Sequence, residues 1–515
     1  SFVAKTWRDV AAKCEKITES IELLKRQDST DSKIHNHQRI KSKPAIIFMF
    51  PGQGSQHFKM AKNMYQNEPI FRHNVQECCA LVTAYGGADV LRLFFEPGSV
   101  TRSELDRTDI VQPIVFIVSY CLAELYMKTF GIRPTYMIGH SLGELVCATL
   151  SGVLDRETAI SIVVERSRLM QSMPTGAMAQ IGPGCSDQLF LEVTKAFPSL
   201  ELAAHNTSSS YVFSGDKQEI KDLCKWFRER NKKRKGSNMH ESRCKCVPLA
   251  TSHAFHSSSM RPAAQKLSAY INSLSCPSYS SLIFPYVSNV TGEWQSRKAT
   301  SADYWANHMC SPVRFCEGID FLMSQKSLQE KQVILLEVGC GNSLKGLVNR
   351  HFSEKPQNQI NDVTVMSSMP HAKDAVSASG ADDHSIWLSS IGKLWEIGVS
   401  PNFSEYWETC RPEQISKISL PKYSLQKQRC FVGKSLTHIM QSKSDSFTME
   451  VSSEHKEDNQ SVFSKESSSV SSSSIVKRKD KSFDDFLSFY SDFTLSDPRI
   501  NLNDSFFAHG GSSMN

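Results

Sequence analysis

The sequence has no apolar leader, no zinc-type cysteine spacing, no tandem repeat and little excess charge. Its opening stretch mixes Lys, Arg and Glu with apolar residues at helical spacing, where a secretory leader needs an apolar centre. The most apolar run, Ile110 to Tyr126, contains Gln112, Pro113, Ser119 and Glu124, which suits a buried helix better than a bilayer span. No membrane contact is expected, and the cytosol is the expected compartment. The 15 cysteines are scattered through helix-like and strand-like segments. Cys78-Cys79 and Cys244-Lys245-Cys246 lack C-x-x-C geometry and partner histidines, so reduced thiols and no metal site are expected. A formal net charge of +6 over 515 residues argues against nucleic acid and fits only weak attraction to acidic partners. The chain begins at Ser1 without an initiator methionine, which reads as a piece of a longer polypeptide.

What is present is an ordinary globular composition, 40% apolar and 22% charged, long enough for two to four folded units. Phe2 to Arg26 reads as an amphipathic helix and Gln27 to Lys43 as a polar linker. Ala45 to Phe50 is a fully apolar strand. From there to about Pro370 strand-like and helix-like segments alternate, the pattern of an α/β fold with a parallel sheet. One stretch departs from it. Ala177–Ile181, a helix from Ser186 to Ala196, Leu200–His205, Tyr211–Ser214, a helix from Gln218 to Arg230, and Cys244–Leu249 give β-α-β-β-α-β, a ferredoxin-like insert over about 174–250. Inside it, Arg228 to Lys235 is a dense basic run, read as a solvated loop or as an attraction for an acidic partner.

Tyr136-Met137-Ile138 leads into Gly139-His140-Ser141-Leu142-Gly143-Glu144, and a helix-like run, Leu145 to Leu150, follows. This is G-x-S-x-G in the strand–turn–helix setting that it requires. The turn lifts the Ser141 hydroxyl clear of the sheet and sets it at a helix N-terminus, where developing negative charge is favoured. A hydroxyl nucleophile needs a base. Two histidines, His253 and His256, stand where the chain leaves the insert, and His256 is the expected base.

With these motifs in hand the chain from about Ile46 to Val365 resembles the acyltransferase domain of type I polyketide synthases and animal-type fatty-acid synthases, and is similar to free-standing malonyl-CoA:carrier-protein transacylases. The resemblance rests on Phe50–Gln56 (FPGQGSQ), Gly139–Glu144 (GHSLGE), Ser252–Ser257 (SHAFHS) and Glu337-Val338-Gly339. It implies a hydrolase-like α/β core carrying the ferredoxin-like insert, with Ser141 as nucleophile, His256 as base and the backbone N–H groups of Gln53 and Leu142 as oxyanion hole. The segment Ser311-Pro312-Val313-Arg314 matches the one whose carbonyl orients the base in place of an aspartate. Arg166, 25 residues after Ser141, matches the arginine that grips a malonyl carboxylate, a task for which a planar guanidinium is suited and lysine is not. Gln112 and Asn206 match positions lining the cleft. His253-Ala254-Phe255-His256 resembles the malonyl version of its motif, with Phe255 crowding an α-methyl group. Cys340 replaces a usual proline, and Leu420 to Arg429 departs from the family's Pro-Phe-Gln-Arg pattern.

The expected organisation is a linker with an N-terminal helix (1–43), an acyltransferase domain (44–370), a following linker (371–433), a Ser-rich disordered tether (434–481) and the first part of an acyl carrier domain (482–515). Asp504 to Met514 resembles a 4'-phosphopantetheine attachment site, with Ser513 as the modified serine. The acyltransferase itself is expected to need no cofactor. The partners implied are malonyl-CoA, a carrier domain and other synthase domains, with a ketosynthase upstream. Two other readings stay open: a serine esterase or thioesterase, in which Arg166 would have no use, and an inactive docking module.

Overall fold

Six consecutive apolar residues, Ala45–Phe50, form β1, which is buried along its whole length. Such a strand needs cover on both faces, and it sits in the middle of a five-stranded parallel sheet. The computed structural model of the protein describes residues 43–57, 60–95, 101–233, 244–274, 282–295, 301–355, 362–370 and 382–410. These residues fall within one compact unit that includes Lys33–Ile415. The sheet is completed by β2 (Tyr136–Gly139), β7 (Tyr286–Val287), β9 (Val333–Glu337) and β10 (Val363–Ser367), in the order β10-β9-β1-β2-β7. Phe50 at the end of β1 lies level with Gly139 at the end of β2. The loops that leave these two strands therefore emerge side by side at the carboxyl edge of the sheet, where open α/β sheets place their ligands.

The insert is the expected β-α-β-β-α-β unit. Its strands are β3 (Ala177–Ile181), β4 (Glu201–Thr207), β5 (Ser210–Gly215) and β6 (Cys246–Pro248), with helices Asp187–Ala196 and Lys217–Lys233 between them. The order is β6-β3-β5-β4, antiparallel throughout. Ser186 caps the first helix by accepting the Leu189 N–H, and Val193, Phe213, Leu223 and Phe227 fill the small core. Two features differ from the sequence reading. A fifth strand, β8 (Val313–Arg314), comes from outside the insert and pairs in parallel with β4. The start of the basic run is not loop. Arg228 to Lys233 form the last turns of a helix, in which Arg230 pairs with Glu192 at 2.6 Å and lies over the Trp226 ring at 5.2 Å.

The apolar run is the helix Thr108–Glu124, which continues as a π-turn, Leu125–Thr129. It is long and apolar enough to cross a bilayer, but 94% of its most apolar window is buried in the fold. The segment after the domain, for which the sequence suggested only a linker, holds two helices, Asp383–Glu396 and Phe403–Cys410. Phe130 takes the edge of Trp387 at 5.6 Å and stacks on Tyr406 at 4.7 Å, fastening both helices to the body. The cysteines among the described residues are unpaired. The expected N-terminal helix, the Ser-rich tether and the carrier segment with Ser513 lie outside the described residues.

Candidate active site

Ser141 stands in the left-handed region, φ +52°, at the turn between β2 and the helix Gly143–Leu150. The flanking glycines are required by close approach. A Cβ on Gly143 would lie 2.1 Å from the Phe50 carbonyl oxygen, and one on Gly139 would lie 2.1 Å from the Gly143 backbone. The Gln53 loop presses against the same turn, since a Cβ on Gly52 would come within 2.6 Å of the His140 carbonyl oxygen. Among the described residues, neither the Gln53 nor the Leu142 backbone N–H has a protein acceptor. Two free donors on adjoining backbones beside a hydroxyl make an arrangement able to hold an oxyanion.

The hydroxyl has an imidazole within hydrogen-bond reach. Ser141 Oγ is 2.7 Å from His256 Nε2, and His256 Nδ1 is 2.9 Å from the carbonyl oxygen of Ser311. A carbonyl only accepts, so Nδ1 carries the proton and Nε2 offers its lone pair to the hydroxyl. Burial, then the nearby His308 and Arg166, push the His256 pKa well below its ordinary value, which keeps the imidazole neutral. His256 is also left-handed, φ +55°, so both members of this hydrogen-bonded pair are held in backbone conformations that side chains disfavour.

Arg166 is 1% exposed, on the inner face of the helix Arg156–Gln171. Its Nη1 donates to Gln112 Oε1, and Gln112 Nε2 lies 3.4 Å from Gln53 Oε1, linking the guanidinium to the oxyanion loop. Among the described residues its Nε and Nη2 have no partner. Those two nitrogens share one edge of the guanidinium, the fork that receives a carboxylate in parallel hydrogen bonds. Burial without a counter-charge lowers the Arg166 pKa to about 10. The arginine remains cationic at neutral pH.

The remaining expected residues fall close by in different ways. Asn206 Oδ1 is 2.8 Å from His140 Nε2, so it holds the residue before the nucleophile. The His253 ring lies 5.7 Å from that of Phe255 and bonds the Ser252 hydroxyl at 2.7 Å, and burial lowers its pKa. The sequence reading missed Asn289 and Glu144, which lie beneath the elbow. Asn289 Oδ1 accepts the Ser141 N–H at 2.6 Å, and Glu144 Oε2 accepts the Asn289 N–H at 2.8 Å. A charged residue directly after the second glycine of the elbow was the available clue, because the rest of that helix carries no charge and is buried. Among the described residues one cluster, Cys316, Asp320 and His351, has metal-ligand chemistry. The His351 ring stands between the other two, 2.7 Å from Asp320 and 3.6 Å from the Cys316 sulfur, and Lys355 also bonds Asp320. Its polar atoms already satisfy one another, with a cation beside them.

Residues 47–373, more than half of the chain, match the family described as acyl transferase domain. The chain belongs to that family. The chain is 34% identical over 391 residues to a phenolphthiocerol/phthiocerol polyketide synthase subunit of Mycobacterium tuberculosis, covering 75% of this chain and 23% of that protein. It is 28% identical over 306 residues to a polyketide biosynthesis acyltransferase homolog of Bacillus subtilis, covering 59% of this chain and 87% of the relative. Among solved structures it is similar to the acyltransferase domain from the second module of the salinomycin polyketide synthase, with TM-score 0.59, 28% identity, and coverage of 74% and 79%. It is likewise similar to a malonyl CoA-acyl carrier protein transacylase of Burkholderia pseudomallei, with TM-score 0.52, 28% identity, and coverage of 61% and 99%. The acyl transferase domain thus has the α/β architecture of these neighbours.

Proposed function

We propose that this domain transfers a malonyl unit from coenzyme A to the phosphopantetheine thiol of an acyl carrier, by way of a seryl ester at Ser141. The observation that carries the reading is the Nε and Nη2 edge of the buried Arg166, which has no partner among the described residues. A buried unpaired guanidinium is costly to a fold and demands an anionic partner. A carboxylate on the acyl group supplies one, and an esterase would have no use for it.

In this mechanism His256 Nε2 takes the proton of Ser141 Oγ as the oxygen attacks the thioester carbon. The backbone N–H groups of Gln53 and Leu142 receive the oxyanion. The tetrahedral intermediate collapses, the carbon–sulfur bond breaks, and His256 returns its proton to the departing coenzyme A thiol. In the second half the carrier thiol gives its proton to His256 and attacks the seryl ester, and Ser141 leaves reprotonated. The Ser311 carbonyl holds the imidazole in one tautomer through both halves. His253 and Phe255 border the acyl group, where Phe255 opposes an α-methyl. Gln112 and Asn206 hold the groups around them.

The wider reading includes a domain of residues 44–370, a carrier segment from 482 bearing 4'-phosphopantetheine at Ser513, neighbouring synthase domains with a ketosynthase upstream, and a place in the cytosol. Intact-protein mass spectrometry after mixing with malonyl-CoA and methylmalonyl-CoA tests the core of it. One malonyl adduct is expected, at Ser141, discharged by a carrier thiol faster than by water. Discharge by water alone would indicate a thioesterase, and no adduct at all an inactive docking module.

A further inference from the structure

The Ser141 N–H is turned toward the buried Asn289, at a left-handed residue. Left alone it would be a buried unsatisfied donor at the most constrained point of the chain. The Asn289 carboxamide meets it and clamps both ends of the turn. Its Oδ1 accepts the Ser141 N–H at 2.6 Å while its Nδ2 donates to the Gly139 carbonyl at 2.7 Å. Only one orientation of the amide satisfies both, so its rotamer is fixed by the contacts themselves. Asn289 is 3% exposed and sits just after β7, the strand that neighbours β2.

Asn289 is held in its turn. Its N–H donates to Glu144 Oε2 at 2.8 Å, and Glu144 is fully buried. The other carboxylate oxygen accepts from Gln295 Nε2 at 3.2 Å and from the Tyr304 hydroxyl. The backbone carbonyl of Asn289 accepts the Arg314 N–H at 3.0 Å, and Arg314 is three residues beyond the carbonyl that orients His256. One residue therefore connects the backbone of the nucleophile to the segment that aims the base. We propose that Asn289, anchored by Glu144, is a positioning residue that fixes the aim of the Ser141 hydroxyl relative to His256. Small errors of aim cost large factors in rate, because the reacting atoms must be held in a near-attack geometry. The donor-binding edge of Arg166 is not part of this network, so binding and chemistry should separate.

The inference rests on the reading of Ser141 as nucleophile, and the test distinguishes the two. Wild-type protein, Asn289→Ala, Asn289→Ser and the isosteric Asn289→Asp are mixed with malonyl-CoA, and single-turnover acylation is followed by intact mass on the folded fraction. Each Asn289 variant is expected to acylate Ser141 about 10- to 100-fold more slowly, with the malonyl-CoA concentration at half-maximal rate within about threefold of wild type. Glu144→Gln, which keeps a neutral acceptor for the Asn289 N–H, is expected to retain more of the rate than Glu144→Ala. Folded Asn289 variants that acylate at the wild-type rate, or that weaken half-saturation and not the maximal rate, overturn the proposal. A wild-type protein that takes no label at Ser141 overturns the underlying mechanism instead.

Discussion

The His256 Nδ1 lies 2.9 Å from the carbonyl oxygen of Ser311, two residues before a strand that belongs to the inserted sheet. The base is therefore oriented by backbone, which cannot be titrated away. It also depends on the seam where β8, from outside the insert, pairs with β4 of the inserted sheet.

That neutral setting fixes the pH dependence. Below its folded pKa His256 is protonated and cannot accept the Ser141 proton. Burial, His308 and Arg166 all lower that value from the ordinary 6.5, so acylation is expected to stay on its plateau well into the acid side of 6.5 before falling. The unfolded chain binds this proton at higher pH than the folded one. The contribution to stability is thus full above 6.5 and is lost as pH falls from there toward the folded value. Single-turnover rates and denaturant midpoints measured across pH check both limbs, and an acylation limb centred at or above 6.5 would contradict the environment described for His256.

Arg166→Ala is expected to lower malonyl transfer about 30- to 5,000-fold, the cost of stripping one partner from a desolvated charge pair. Acetyl transfer should be little changed or improved, because the fork has nothing to hold in an acetyl group. Competition between malonyl-CoA and acetyl-CoA for label at Ser141 is the measurement. Arg166→Lys should restore little, lacking the parallel edge.

Gly52→Ala probes the oxyanion loop without touching a reacting side chain. The new methyl would meet the His140 carbonyl oxygen at 2.6 Å, and that backbone cannot move without disturbing Ser141. The loop must retreat and take the Gln53 N–H with it. Acylation is expected to fall by about 10²–10³, as for removal of one oxyanion donor, while circular dichroism still reports a folded protein.

Phe255→Ala should relax the choice of extender. Phe255 is nearly buried and its ring faces that of His253. Removing it makes room for an α-methyl, and the ratio of methylmalonyl to malonyl labelling is expected to rise about tenfold or more, the worth of one methyl group in a fitted pocket. An unchanged ratio would move the selection of extender elsewhere in the cleft.

The parts of this architecture that were legible in the sequence are those with a local signal. An unbroken apolar strand ending in Pro51-Gly52, glycines flanking Ser141, and helix and strand periods alternating through the insert each announce themselves within a few residues. The insert's antiparallel order follows from its β-α-β-β-α-β succession. What escaped has no period to detect. β8 is two residues long and becomes a strand only because β4 offers it a free edge. Glu144, Asn289, Gln295 and Tyr304 are spread over 161 positions and meet only when β7 is laid beside β2. The segment after the domain read as a linker because its aromatic anchors, Trp387 and Tyr406, find their partner in Phe130, far away in the chain. The start of the basic run was misjudged because Arg230 found Glu192 on the neighbouring helix and the ring of Trp226 one turn back on its own.

The strand that the body of the fold lends to the inserted sheet has a bearing on how such domains could be recombined. An engineer who swapped residues 174–250 for those of another acyl transferase domain would replace β4 but leave its neighbour β8 behind. The mismatched edge would then tug on the very peptide group that steers the imidazole. A graft that carries Ser311 to Arg314 along with the insert keeps that steering intact, so the natural unit of exchange is discontinuous in sequence though contiguous in space.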